Sequence, residues 1–258
     1  MTRVEILDGR GEKALGKPVG TYLTITLPGP VRDRAELLQG AEAVAEALSS
    51  LKTLPETGPV LVVGLGNRQI TPDALGPDAM DWVFVTRHLV QGMPKQFSDF
   101  RSVAAVKAGV TGTTGLESGE IIEAVVRKLK PSCLIAVDAL AARRRERLCR
   151  TVQVSDTGIV PGSGVGNHRM ALNQETLGIP VIAVGIPTVV EAATLCADLL
   201  EEAGRKNFPL PASKGEPLFV TSRNVDREVA SLSKLLGFAI SSAVQGNFSV
   251  EEVETWTS

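Results

Sequence analysis

The sequence predicts an α/β fold of three layers, helix–sheet–helix, around a mostly parallel or mixed sheet. Three observations carry that expectation. Short, wholly apolar runs recur at Val60–Val63, Cys133–Val137 and Pro180–Val184, each bounded by Gly, Pro or a charged residue. Runs of that length suit strands buried on both faces. Segments with apolar residues at helical spacing lie between them, and strand–helix alternation is how parallel sheets are built. The interior must also be aliphatic, because 43% of the 258 residues are hydrophobic but only 4% are aromatic.

In chain order, TYLTITL from Thr21 to Leu27 alternates polar and apolar residues, as a half-buried strand does. Leu37, Leu38, Ala41, Val44, Ala45 and Leu48 mark a helix. The buried strand Val60–Val63 follows, and a helix is expected from about Pro77, with Met80, Val83 and Phe84 on one face. Ser102 to Val106 is a weaker strand. Ile121, Ile122, Val125, Val126 and Leu129 define an amphipathic helix with Glu117 and Glu120 at its positive end. Cys133–Val137 and Thr151–Val154 are the next strands, then Pro180–Val184. Helices from Thr188 to about Ala203 and from Val225 to about Val244 complete the set, with Pro217–Val220 an edge strand between them. The polar stretch Leu210–Glu216 reads as a surface loop. No linker or repeat divides the chain, so residues 1–258 are expected to form one domain.

Composition narrows the function. A net charge of −2 argues against a nucleic-acid surface, which needs a basic excess. No apolar stretch reaches the roughly 18–20 residues of a membrane helix, and Met1–Glu12 lacks the apolar segment of a signal peptide. A soluble, intracellular protein is expected. Three scattered cysteines make neither a disulfide framework nor a zinc site. Cys133 falls inside an apolar run, and Cys149 and Cys196 fall on helical patterns. Gly64–Gly66 lacks the third glycine of a dinucleotide fingerprint, since Gln69 stands there, and no phosphate-loop motif occurs. No cofactor is expected. The basic run from Arg143 to Arg150 reads first as a solvated helical face, with subunit contacts or attraction of an acidic substrate as the alternatives.

Two strands lead into aspartates. Val60–Val63 runs into GLGNRQITPDALGP, which carries Asp73, and Cys133–Val137 ends on Asp138. Ligands of doubly wound sheets collect beyond the C-terminal ends of strands. A carboxyl group directly after a buried run is costly unless it faces a cleft or meets a partner. Two carboxylates facing one crevice can share a proton, one activating water and the other protonating a leaving group. The structural alternative is that Asp73 caps the next helix and Asp138 anchors a loop. A metal held by both aspartates and a histidine also stays open, with no metal site assigned.

Several stretches together resemble the germination protease family of spore-forming Firmicutes. They are GKPVGTYLTI from Gly16, LVVGLGNRQITPDALGP from Leu61, VTRHL from Val85, GVTGTTGLES from Gly109 and IAVDALAAR from Ile135. VSDTGIVPGSGVGNHR from Val154, ETLGIPVIAVGIPTVVEAAT from Glu175 and LFVTSRNVD from Leu218 continue in the same order. The resemblance implies an endopeptidase that starts the breakdown of small acid-soluble spore proteins at germination, cutting after an acidic residue and before a hydrophobic one. It also implies a fold similar to the hydrogenase maturation proteases, a homotetramer, a location in the spore-core cytoplasm and production as a longer zymogen, with this chain beginning near where a mature enzyme would.

The family's proposed catalytic aspartates fall on Asp73 and Asp138. The loop Gly162, Ser163, Gly164 to Asn167 is the candidate for binding substrate backbone. Arg87, Arg169 or a member of the arginine run is the candidate for receiving the acidic side chain. Glu117, Asp156 and His88 are second-tier candidates. Two rivals use the same residues: a metal-dependent peptidase, and a silent homologue that only binds spore proteins.

Overall fold

The computed structural model describes residues 1–162, 170–205 and 217–257. Its elements, in order, are β1 (Thr2–Ile6), α1 (Gly9–Leu15), β2 (Gly20–Thr26), α2 (Arg34–Ser49), β3 (Val60–Gly64), α3 (Leu75–Ala79), α4 (Arg87–Gly92), β4 (Val103–Lys107), α5 (Thr111–Thr114) and α6 (Ser118–Leu129). They continue with β5 (Cys133–Ala142), β6 (Thr151–Ser155), α7 (Gln174–Leu177), β7 (Val181–Glu191), α8 (Ala192–Glu202), β8 (Phe219–Val220), α9 (Val225–Gln245) and α10 (Val250–Thr257). Single 3-10 turns cover Thr71–Asp73, Met80–Trp82 and Arg145–Arg147.

The strands form one mixed sheet in the order β1-β2-β6-β7-β5-β3-β4, with β8 pairing the far end of β7. β4, β3, β5 and β7 are mutually parallel, while β6 and β1 run against their neighbours. Side chains alternate between two cores, as the pleat requires. Val60, Val62, Ile135, Val137, Ile182 and Val184 face α2 and α9. Leu61, Val63, Leu134, Ala136 and Val181 face Ile122 and Val126 of α6. Helices therefore cover both faces, and α9 is the main one, with Leu235, Leu236, Phe238 and Ile240 fully buried. Each such side chain contributes roughly 1.5–3 kcal/mol by leaving water.

Several elements depart from expectation. The helix expected from Pro77 starts at Leu75 and is one short turn followed by a 3-10 turn. Val83 is already extended, because the Phe84 N–H leaves the helical ladder for the Ser241 hydroxyl at 2.9 Å. β7 runs through Thr188, where a helix was expected. Its β-branched Thr188, Val189 and Val190 fit a pleated strand, and α8 begins only at Ala192.

β5 also outruns the expected Val137 end, so Asp138 sits within a strand rather than after one. The arginine run is no helical face. It is a single turn whose Arg144 pairs with Asp198 and Glu201, and whose Arg145 pairs with Glu202 of α8. Cys149 is not helical either: it is buried at φ 53°. The loop expected at Leu210–Glu216 lies outside the described residues.

Candidate active site

Asp73 and Asp138 come to one cleft by different routes. Gly64 of β3 pairs with Val137 of β5, and the next residue, Leu65, donates its N–H to the Val137 carbonyl at 2.8 Å. The chain then turns at Gly66, whose φ of +114° suits glycine. A Cβ there would lie 2.1 Å from the Asp73 carbonyl oxygen, so the turn and the aspartate are packed backbone to backbone. The Asn67 N–H donates to Asp73 Oδ2 at 2.7 Å, which fixes the carboxylate against the strand end. Asp73 thus braces the turn before it, in place of capping α3 after it. Gly76 allows α3 to approach the strand ends, where a Cβ would meet the Leu65 and Val137 carbonyls.

Asp138 follows Val137 directly and is only 6% exposed. One carboxylate oxygen accepts the Ala139 N–H at 2.9 Å. Both aspartates line a cleft of about 450 Å³. The rest of its wall is largely apolar, including Leu65, Ile70, Leu140, Ile159, Val189 and Phe219. Ser118 at the start of α6 lies on one side, with its hydroxyl donated to the Gly109 carbonyl at 2.8 Å.

Thr188 lines the opposite side, and its hydroxyl donates to the Pro72 carbonyl at 2.6 Å. It is the extra residue of a bulge, since Leu140 pairs Pro187 and Ala141 pairs Val189. The Asp73 turn is thereby tied to β7. Sequence reading missed Thr188, although Pro187 inside an apolar run was a signal for an irregular strand.

Gly162 lines this cleft. Ser163, Gly164, Asn167, Arg169 and His168 lie outside the described residues. The structure does not bring the remaining candidates here. Arg87 and His88 open α4 next to Thr86, which bonds Arg101 and Val103 at the start of β4, the opposite end of the parallel strands. Glu117 is the N-cap of α6 and accepts the Thr111 hydroxyl at 2.9 Å, with its own N–H donated to Glu120. Asp156 accepts the Thr21 N–H at 2.7 Å and the Thr53 hydroxyl at 3.2 Å, again at the far end of the sheet. Burial pushes the Cys133 thiol up to about 11 and the Cys149 thiol up to about 12, so neither is a ready thiolate. Among the described residues no group of three His, Cys, Asp or Glu is arranged to hold a metal ion.

A shallower trough adjoins the cleft and shares Leu140 and Ile159 with it. Its floor is Tyr22, Thr24, Gln153 and Ser155 on the uncovered face of β2 and β6. Lys17 stands over the Tyr22 ring, 4.6 Å from its centre. Desolvation, with the positive charges of Arg143 and Arg147, lowers the Lys17 ammonium pKa from its ordinary value.

A sequence model of the germination protease family matches residues 1–206. The chain belongs to that family. The germination protease of Clostridium perfringens strain ATCC 13124 is 42% identical over 98% of this chain and 86% of its own. That of Caldanaerobacter subterraneus subsp. tengcongensis is 53% identical over 78% of this chain and 63% of its own, and that of Priestia megaterium 48% over 78% and 55%. Among solved structures, the [NiFe] hydrogenase maturation protease HycI of Thermococcus kodakarensis is 17% identical, with a TM-score of 0.40, over 76% of this chain and 98% of that one. The germination protease match contains both aspartates, the Gly66 turn and Thr188.

Proposed function

We propose that this chain is an endopeptidase in which Asp73 and Asp138 act as a pair on a water molecule. The observation that carries this reading is that two carboxylates, one from the turn after β3 and one from within β5, each accept a backbone N–H and line one mainly apolar cleft. One carboxylate takes a proton as the water oxygen bonds to the scissile carbonyl carbon. The other, as its protonated carboxylic acid, gives a proton to the amide nitrogen as the C–N bond breaks, which leaves a carboxylic acid and an amine as products. The apolar walls keep bulk water away from the reacting pair, which strengthens its electrostatics.

Family membership extends the proposal. The substrate is a small acid-soluble spore protein, cut after an acidic residue by a homotetramer in the spore core. Arg144 and Arg145 are held by α8, and Arg87 lies at the other end of the sheet. Lys17, which lines the trough, and Arg143 and Arg147 of the arginine run are therefore our candidates to receive the acidic side chain. The Gly162 loop is kept as a candidate for contact with substrate backbone, supported by Gly162 lining the cleft.

The test is cleavage of a peptide with one internal Glu–hydrophobic bond by wild type, Asp73→Asn and Asp138→Asn. Both variants should stay folded and lose roughly 10³-fold or more in kcat/KM, within the range that acid–base groups supply and its extension for a cooperating pair. Cutting retained in either variant removes that aspartate from the mechanism. Chelator that stops wild type, with rescue by a divalent ion, converts the pair into metal ligands.

A further inference from the structure

β5 outruns its neighbour. β3 pairs with it from Val60↔Cys133 to Gly64↔Val137 and stops, whereas β5 continues to Ala142 with β7 on its other side. The last rung on the β3 side is the Leu65 N–H donated to the Val137 carbonyl at 2.8 Å. In a parallel strand, successive residues aim their backbone groups at alternate neighbours. The Leu134 N–H goes to the Pro180 carbonyl on the β7 side, so Leu134, Ala136, Asp138 and Leu140 face β7. Val137, Ala139 and Ala141 face the side that β3 has left.

The Ala139 N–H is taken by the Asp138 carboxylate. That leaves the Ala139 carbonyl and the Ala141 N–H, with no strand beside them among the described residues. Exposure follows the same boundary: β5 is buried through Asp138, half-buried at Ala139, Leu140 and Ala141, and buried again at Ala142. All three half-buried residues line the cleft that holds both aspartates.

We propose that an extended segment of the protein substrate adds to this edge as a strand, in the place β3 vacates beside Ala139 and Ala141. The inference rests on the two-aspartate reading and adds the way in which the chain is presented to it. Main-chain bonds to the edge hold a peptide of varied sequence in register, and the register fixes which carbonyl lies by Asp138. An open edge invites unwanted pairing. This one spans about one rung and is recessed in a cleft, so it admits a chain with free backbone groups and excludes a folded sheet or helix. The chemical class of ligand is therefore an unstructured or locally unfolded polypeptide.

The experiment is a scan of backbone N-methylation. The same Glu–hydrophobic peptide is prepared with one methylated amide at a time, within three residues of the scissile bond on either side. Strand addition predicts a roughly tenfold loss in kcat/KM at the single amide whose N–H meets the Ala139 carbonyl, and little change at the amides on either side of it. A loss that fades smoothly with distance from the bond, or no loss away from it, overturns the proposal. Ala141→Pro removes the enzyme's N–H and should raise KM roughly tenfold without matching loss of kcat. A folded Ala141→Pro enzyme with wild-type KM also overturns it, and if that variant fails to fold the peptide scan decides alone. Asp73→Asn and Asp138→Asn on the unmethylated peptide separate the two readings. Active variants sink the aspartate pair whatever the scan shows, whereas inactive variants with no such single-amide loss sink strand addition only.

Discussion

Asp138 and Asp156 look alike in the sequence, each following a short run that reads as a strand, yet the fold employs them differently. β5 is parallel to both neighbours, so Asp138, one residue past the last β3 pair, lies beside the β3 end and the turn that carries Asp73. β6 is antiparallel to β7 and to β2, so its end lies beside their starts. There Asp156 finds the Thr21 N–H and the Thr53 hydroxyl and ties two segments together. What separates a candidate catalytic carboxylate from a structural one is strand direction, which decides whether loops with unused polar groups or a single clamped turn meet at that end. The parallel half of the sheet builds a cleft and the antiparallel half builds a brace.

The largest effect that would sharpen this contrast, beyond the aspartate pair itself, comes from the turn that presents Asp73. Gly66→Ala places a Cβ 2.1 Å from the Asp73 carbonyl oxygen at a φ of +114°. The backbone must move, and we expect at least about 2 kcal/mol of lost stability together with loss of nearly all peptide cleavage. A Gly66→Ala enzyme with wild-type turnover would show that the turn does not position Asp73.

Next in size is the brace. Asp156→Ala leaves the Thr21 N–H and Thr53 hydroxyl without their acceptor, which should lower stability by roughly 1–3 kcal/mol in urea unfolding. Its kcat at a temperature where it is folded should stay within about threefold of wild type, a free-energy difference of roughly 0.6 kcal/mol. Loss of kcat without loss of stability would move Asp156 into the active site and break the comparison.

How much of this was legible depends on what kind of signal each feature leaves. The buried parallel strands were plain, because residues hidden on both faces must be apolar in succession. Asp73 and Asp138 were legible for the same reason, as carboxylates following such runs. β1 was missed: TRVEI alternates, but it is an edge strand almost wholly exposed, and its charges read as a terminus. The length of β7 was missed because VVEAAT has helical residues after β-branched ones, and only pairing with β5 and β8 decides where the strand stops. Arg87 drew notice by its motif, but a motif does not say which end of the sheet it reaches. The role of Arg144 and Arg145 was hidden because their partners lie 53 to 57 positions away in α8.

A smaller effect tests the bulge that joins the two halves of the site. Thr188→Val keeps the shape and removes the hydroxyl donated to Pro72. The stranded Pro72 carbonyl should lower stability by about 1–2 kcal/mol. If the bond also steadies Asp73, kcat should fall roughly fivefold to tenfold, a change of about 1–1.4 kcal/mol, while KM holds. Thr188→Ser should restore most of it, because the hydroxyl returns. A kcat unchanged in Thr188→Val would make the bulge a packing feature without influence on the aspartate.

The smallest expected effect comes from the arginine run. Arg144 is over half exposed and meets Glu201, which is equally exposed, and Asp198, whose side chain is only 10% exposed. Water and salt screen the pair that faces solvent, so Arg144→Ala should shift Tm by no more than about 2 °C, and by less at high ionic strength. Asp198 is another matter, because it also accepts the Arg145 backbone N–H at 2.8 Å and so holds the turn that follows β5. Asp198→Ala should therefore lower Tm several times further than Arg144→Ala, with kcat on the Glu-containing peptide near wild type for both. If Arg144→Ala instead raises KM for that peptide while an otherwise identical Gln peptide is unaffected, the turn belongs to the acidic-side-chain subsite rather than to the scaffold, and the division between cleft and brace must be redrawn to include it.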